Sequence, residues 1–207
     1  MSRGRFSATM ACVLAALSAA CSTATLPALS TASDIPLVTI HPPFASDYSC
    51  AEHWEGQLKS LGDALGTDCY ATQVVPDEDG RSFARAFSTD GRKNEDWLSW
   101  RAPVLAPVDG KVIRIIEANG EENRPGFPGK PPATFVVFEN ASGVRVLIAH
   151  LNDISVEVGD TVTAGQPFAV VGNNGFSRSP HVHIGAWKGT TPYQIRHDLK
   201  AKAELRD

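Results

Sequence analysis

Beyond residue 97 the chain reads as a succession of short apolar runs broken by turn residues. Residues 102–107 and 111–117 flank Val108-Asp109-Gly110, where Asp-Gly predicts a tight turn between two strands. Residues 134–139 and 144–151 flank Asn140-Ala141-Ser142-Gly143, a second hairpin signal. Further strands are predicted at 154–158, 161–162, 167–171 and 181–187, each set off by Gly-containing turns. No amphipathic helical period runs through this half, so residues 97–190 are expected to form a compact, mainly β domain. Residues 119–132 interrupt it with several Pro and Gly, and a long irregular insertion of this kind suits a wall over a groove.

The flank at 47–96 carries a different pattern. Trp54, Leu58, Leu61 and Leu65 recur at steps of three or four, which predicts one amphipathic helix over 50–66 with Gly66 as its stop. Residues 191–207 read as a C-terminal tail. Residues 21–46 are rich in Ser, Thr, Ala and Pro without periodicity and read as a flexible tether.

The N-terminus adds a compartment. Arg3 and Arg5 precede an almost uncharged apolar stretch and then small residues, the pattern of an export signal over residues 1–20. The stretch is shorter than the roughly 20 residues a membrane-spanning helix needs. Leu17-Ser18-Ala19-Ala20-Cys21 resembles a bacterial lipobox, which implies a lipid on Cys21 and, with Ser22 following, sorting to the outer membrane from the periplasm. Cleavage after Ala20 or Ala24 without lipid is the alternative.

Charge and cysteine content narrow the picture further. A formal net charge of −4, with 19 basic and 23 acidic residues and no basic block, excludes a nucleic-acid-binding surface. Of the 4 Cys, Cys12 leaves with the signal and Cys21 takes the lipid, so Cys50 and Cys69 remain as a pair able to form a disulfide in an oxidising compartment.

The strongest chemical signal is Ser179-Pro180-His181-Val182-His183. Side chains two apart in a strand project from one face, about 7 Å apart, so one imidazole can bind a metal while its neighbour faces a substrate. A third His stands in Ala149-His150-Leu151. These segments resemble the lysostaphin/LytM-type zinc peptidases in order and spacing, together with Val156-x-Val158-Gly159-Asp160, Val171-Gly172-Asn173-Asn174-Gly175 and the hairpin-like Ala102–Val112 stretch. The resemblance spans residues 100–187. It implies a compact antiparallel β-sandwich or open barrel, Zn2+ as cofactor, and hydrolysis of stem or cross-link peptides of peptidoglycan. It implies that His183 binds the metal while His150 and His181 face the reacting centre.

The family takes two further ligands from an upstream His-x-x-x-Asp, which this chain lacks. In the nearest alignment Cys69 falls on the His position and Gln73 on the Asp position. Cys69 is therefore either a zinc ligand or the disulfide partner of Cys50, and cannot be both. Asp90, Asp68 and His53 are the other candidate ligands. The missing motif also leaves open a degenerate member that binds wall peptides or regulates a partner hydrolase. Val158-Gly159-Asp160 and Gly165-Gln166 occur in biotinyl- and lipoyl-carrier hairpins too, but no Lys stands at an exposed tip there.

Overall fold

The computed structural model describes residues 35–118 and 121–205. The export signal, Cys12 and the lipobox Cys21 lie outside the described residues.

Fourteen strands follow one another: β1 (Leu37–Ile40), β2 (Tyr48–Glu52), β3 (Thr67–Ala71), β4 (Gln73–Pro76), β5 (Ser82–Arg85), β6 (Pro103–Leu105) and β7 (Gly110–Ile116), then β8 (Phe135–Asn140), β9 (Arg145–Ala149), β10 (Leu151–Asn152), β11 (Thr161–Val162), β12 (Pro167–Val171), β13 (Val182–Lys188) and β14 (Thr191–His197). Among the described residues one α-helix, α1 (Leu199–Glu204), follows, capped by the Asp198 carboxylate, and a 3-10 turn stands at Asn94–Asp96.

Nine strands form the main sheet, in the order β1-β14-β13-β9-β8-β7-β11, with β3 also on β13 and β2 on β3. β10, β12 and β6 make a second, three-stranded sheet. β13 is shared along its length: residues 182–184 pair with β3 and residues 186–188 with β14.

Strand alternation explains both faces of the main sheet. Val136, Phe138, Val146, Ile148, Ile184 and Ala186 point into one core with Phe168 and Val104 of the small sheet. Phe135, Val137, Leu147, Ala149 and His183 alternate with them and line a groove on the opposite face. The mainly β, open-barrel expectation holds.

Four local expectations do not. Residues 50–66 form no helix. Cys50 lies in β2, paired directly with Cys69, and Gly56 and Gly62 at φ 82° and 94° break any helical run after it. The apolar period there faces water: Trp54 is 70% exposed. The turn at Asp109-Gly110 joins strands of different sheets, since β6 pairs with β12 and β7 with β8. Residues 154–158 join no ladder, although the Ser155 amide bonds the Phe168 carbonyl. Finally, the sheet extends at both ends into segments read as tether and tail. β1 runs parallel to β14, and Ile40 and Phe44 are buried in the core.

Candidate metal centre

Four strands bring the chemistry together. In register, His183 of β13 lies between Ala149 of β9 on one side and Asp68 of β3 on the other. β2 pairs antiparallel with β3 so that Glu52 lies opposite Thr67, and His53 follows at the strand's end. Its amide bonds the Gly66 carbonyl at 2.8 Å, which places its imidazole against Asp68. His150 ends β9 in the left-handed region, φ 65°, where the chain passes from the main sheet to β10. That turn aims its ring at the others: the His150 and His181 centroids are 4.7 Å apart.

A carbonyl oxygen can only accept, so each ring nitrogen that meets one carries the proton. His53 Nδ1 donates to the Asp63 carbonyl at 3.1 Å, and His183 Nε2 to the Gly62 carbonyl at 2.8 Å. His181 Nδ1 donates to the Ser179 carbonyl at 2.7 Å, and His150 Nδ1 to the Asn174 carbonyl at 2.8 Å. Every outer nitrogen is thus held by main chain, and every inner one is left facing the groove. His183 Nδ1 lies 2.8 Å from Asp68 Oδ1, His53 Nε2 3.4 Å from Oδ2 and His181 Nε2 3.6 Å from Oδ1. Lone pairs directed at a carboxylate repel it unless a proton or a cation lies between them. The ligand atoms of His53, Asp68 and His183 all lie within 4.8 Å of one another. Two imidazoles and one carboxylate are a donor set that suits zinc, with outer nitrogens oriented as metal-bound histidines usually are.

The titration behaviour follows from this crowding. Burial works against a charged His183, but the Asp68 carboxylate and the Gly62 carbonyl more than offset it and raise its pKa. Burial likewise opposes ionised Asp68, yet hydrogen bonds and charge from His181 and His183 hold it well below the usual carboxylate range. For His150, burial and the charges of His181 and His183 outweigh the Asn174 carbonyl and the Asp68 charge and push it down to about 3. It stays neutral, with Nε2 open to accept a proton.

The groove around these groups measures about 1180 Å³. Its floor is the alternating face of β8, β9 and β13. One wall is the 57–63 segment, and Pro131, Ala133 and Phe176 form part of the other. Residues 121–132 of the insertion are the expected wall in part and also a brace. Asn123 Nδ2 donates to the Gly175 and Ser177 carbonyls at 2.9 Å, and Glu122 accepts from the Asn173 amide. The loop that holds His150 and His181 in orientation is thereby tied down. Asn94, to which no role fell from sequence, joins the same network through Asn173 Nδ2 at 2.8 Å.

Glycine seats the 57–63 wall. A Cβ on Gly185 would lie 1.7 Å from the Gly62 oxygen, the atom that accepts from His183. Only a bare main chain at 185 lets that carbonyl reach the sheet.

Two expected ligands are set aside. Cys69 is in a disulfide with Cys50, so it has no thiolate for a metal. Asp90 sits on an exposed turn, paired with Arg92 at 3.3 Å, outside the groove. Gln73, aligned by sequence with the missing Asp, is exposed on β4 and accepts from Arg85. Asp68 and His53 take their places. Tyr70, stacked on His181 at 5.1 Å between centroids, is a site residue that sequence reading missed. Its period-two spacing from Asp68 on β3 was the available signal.

The chain is similar to known proteins over part of its length. A family model described as Peptidase family M23 matches residues 98–195. The chain is 30% identical over 86 residues to an uncharacterized metalloprotease of Haemophilus influenzae, and 35% identical over 83 residues to glycyl-glycine endopeptidase ALE-1 of Staphylococcus capitis. These matches cover 42% and 40% of this chain but only 16% and 20% of the relatives' lengths. Among solved structures, the catalytic domain of lysostaphin from Staphylococcus simulans is 19% identical, with a TM-score of 0.41 over 77% of this chain and 93% of that one.

Proposed function

We propose that the chain, whose residues 98–195 match the model of peptidase family M23, is a zinc metalloendopeptidase cleaving peptide bonds of peptidoglycan. The observation that carries the reading is the convergence of His53 Nε2, His183 Nδ1 and the Asp68 carboxylate, with the outer nitrogen of each imidazole already satisfied by main chain. This supports an active enzyme over a degenerate wall-binding relative, because the ligands of the absent His-x-x-x-Asp have replacements.

A zinc ion held by His53, Asp68 and His183 would supply Lewis acidity toward a scissile carbonyl and lower the pKa of a water. The protein's own groups do the rest. His150 Nε2, neutral and unprotonated, accepts the proton of the attacking water. His181, its ring fixed by the Ser179 carbonyl and by Tyr70, faces the developing oxyanion with Nε2 and donates to it when that nitrogen also carries a proton, as an imidazolium. The apolar floor of Phe135, Val137 and Leu147 takes up the extended peptide beside them.

On this reading the chain is exported to the periplasm and held at the outer membrane by a lipid on Cys21, within reach of the wall. Metal analysis of the full chain tests the proposal. About one zinc per chain is expected, lost in His183→Ala, with cleavage of purified wall peptides lost in His150→Ala and His181→Ala. Absence of zinc from the wild-type protein at micromolar supply overturns it, and a zinc-loaded wild type that cleaves no wall peptide returns the chain to the degenerate reading.

A further inference from the structure

The candidate metal ligands that precede the family-matched region, and the carbonyls that orient the ligand imidazoles, lie inside one covalently closed loop. The Cys50–Cys69 disulfide closes it across a separation of 19 residues. Within it stand His53, the Asp63 carbonyl that orients His53, the Gly62 carbonyl that orients His183, and Asp68. The bridge sits next to the ligands: Cys69 adjoins Asp68, and Cys50 precedes His53 by three residues.

The two strands it joins differ in how firmly they are otherwise held. β3 is paired on both sides, with β13 and with β2, and Cys69 is fully buried in the core. β2 pairs with β3 alone, and residues 49–52 are exposed. Apart from that ladder, β2 is held at its start by Tyr48, bonded to His197 at 2.9 Å and packed on Phe44, and near its end by the Thr67 hydroxyl on the Ala51 carbonyl at 3.1 Å and the exposed ion pair of Glu52 with Arg196. An exposed edge strand competes with water for its hydrogen bonds and frays first. Asp68 and His183 therefore keep their places through the sheet, whereas His53 keeps its place through an edge.

We infer that the Cys50–Cys69 disulfide is the positioning element of the metal centre, fixing His53 against Asp68 and thereby setting zinc affinity. The bridge crosses directly opposed residues of β2 and β3, so it locks the register that puts Ala51 opposite Asp68. Cys50 and Cys69 are positioning residues and touch neither metal nor substrate. The inference rests on the zinc-centre reading above, and it concerns metal affinity rather than turnover.

Zinc affinity of the full chain, measured by competition with a chromophoric chelator, tests it in a cycle of four proteins: wild type, Cys50→Ser/Cys69→Ser, His53→Ala, and the combination. Removing the bridge from the wild type is expected to weaken zinc by about 10- to 100-fold, as loss of outer-shell support commonly does. In the His53→Ala background the same removal is expected to change affinity by less than about 3-fold, because the ligand it positions is already gone. Circular dichroism of the serine variant is expected to retain the β signature. Unchanged affinity without the bridge overturns the inference, as does an equal loss with and without His53. Unfolding of the serine variant also overturns it, since the bridge would then hold the fold and not the ligand. A wild type that takes up no zinc overturns instead the reading on which this inference rests.

Discussion

Asp68 stands directly across the β3–β13 ladder from His183, with its Oδ1 2.8 Å from the imidazole Nδ1. The carboxylate therefore sets the charge of the ring that sequence marks as the metal ligand. In Asp68→Asn, zinc affinity is expected to fall by at least about 100-fold, more than the loss of an orienting group alone brings. In the metal-free variant the pKa of His183 is expected to drop, because burial is left without its carboxylate counterweight. An NMR titration of the His183 ring protons checks this. A ring that still titrates above the ordinary histidine value locates the cause elsewhere.

The replacement ligands can be separated from the candidates set aside. His53→Ala is expected to cost at least about 100-fold in zinc affinity, whereas Asp90→Ala and Gln73→Ala are expected to change it by less than about 2-fold. Chelator competition on the four proteins decides the assignment.

Gly185→Ala places a methyl where the Gly62 carbonyl now lies. Relieving that overlap requires the 57–63 wall to lift, at about 1–3 kcal/mol for overpacking. The expected signs are a melting point lowered by several degrees and a His183 that has lost the acceptor for Nε2. Thermal unfolding with and without zinc measures both.

The metal-free protein has two histidines with opposite pH linkage. His150 is held to about 3 from an ordinary 6.5, so between those values the unfolded chain takes up a proton that the folded chain refuses. Its contribution is fully present above pH 6.5 and is lost as pH falls toward about 3. His183 is raised, so its contribution is present below 6.5 and lost as pH rises through its folded value. His150→Gln is expected to flatten the acid side of the stability curve, and denaturant unfolding across pH 4–8 measures it. An acid limb as steep as the wild type's counts against His150 as its source.

How much of this was legible depended on whether a signal was local. The His181/His183 pair, the hairpin at Asn140–Gly143 and the core strands obey period two and short turns, so they could be read directly. His53 could be named but not ranked. Its distance from Asp68 along the chain is set by the length of the 53–67 excursion, while its closeness in space is set by β2–β3 pairing. The helix expected over 50–66 failed for the same cause: its apolar spacing was real, but a cross-strand disulfide and two left-handed glycines outrank a weak period. His150 was placed inside a strand and instead turns the corner between two sheets. β1 was missed because it is a short run whose ladder partner lies more than 150 residues away in the chain, and β14 because its hairpin onto β13 spans only Ala186–Lys188.

Even-numbered residues of β8 and β9 build the interior, and odd-numbered ones surface the groove. Substrate preference and structural soundness are therefore written on alternate letters of the same two strands. Exchanges at the half-buried Phe135 or Leu147 change the surface of the cleft at little expense to the interior. A single-residue deletion in either strand, by contrast, would trade the two alphabets and lose both at once.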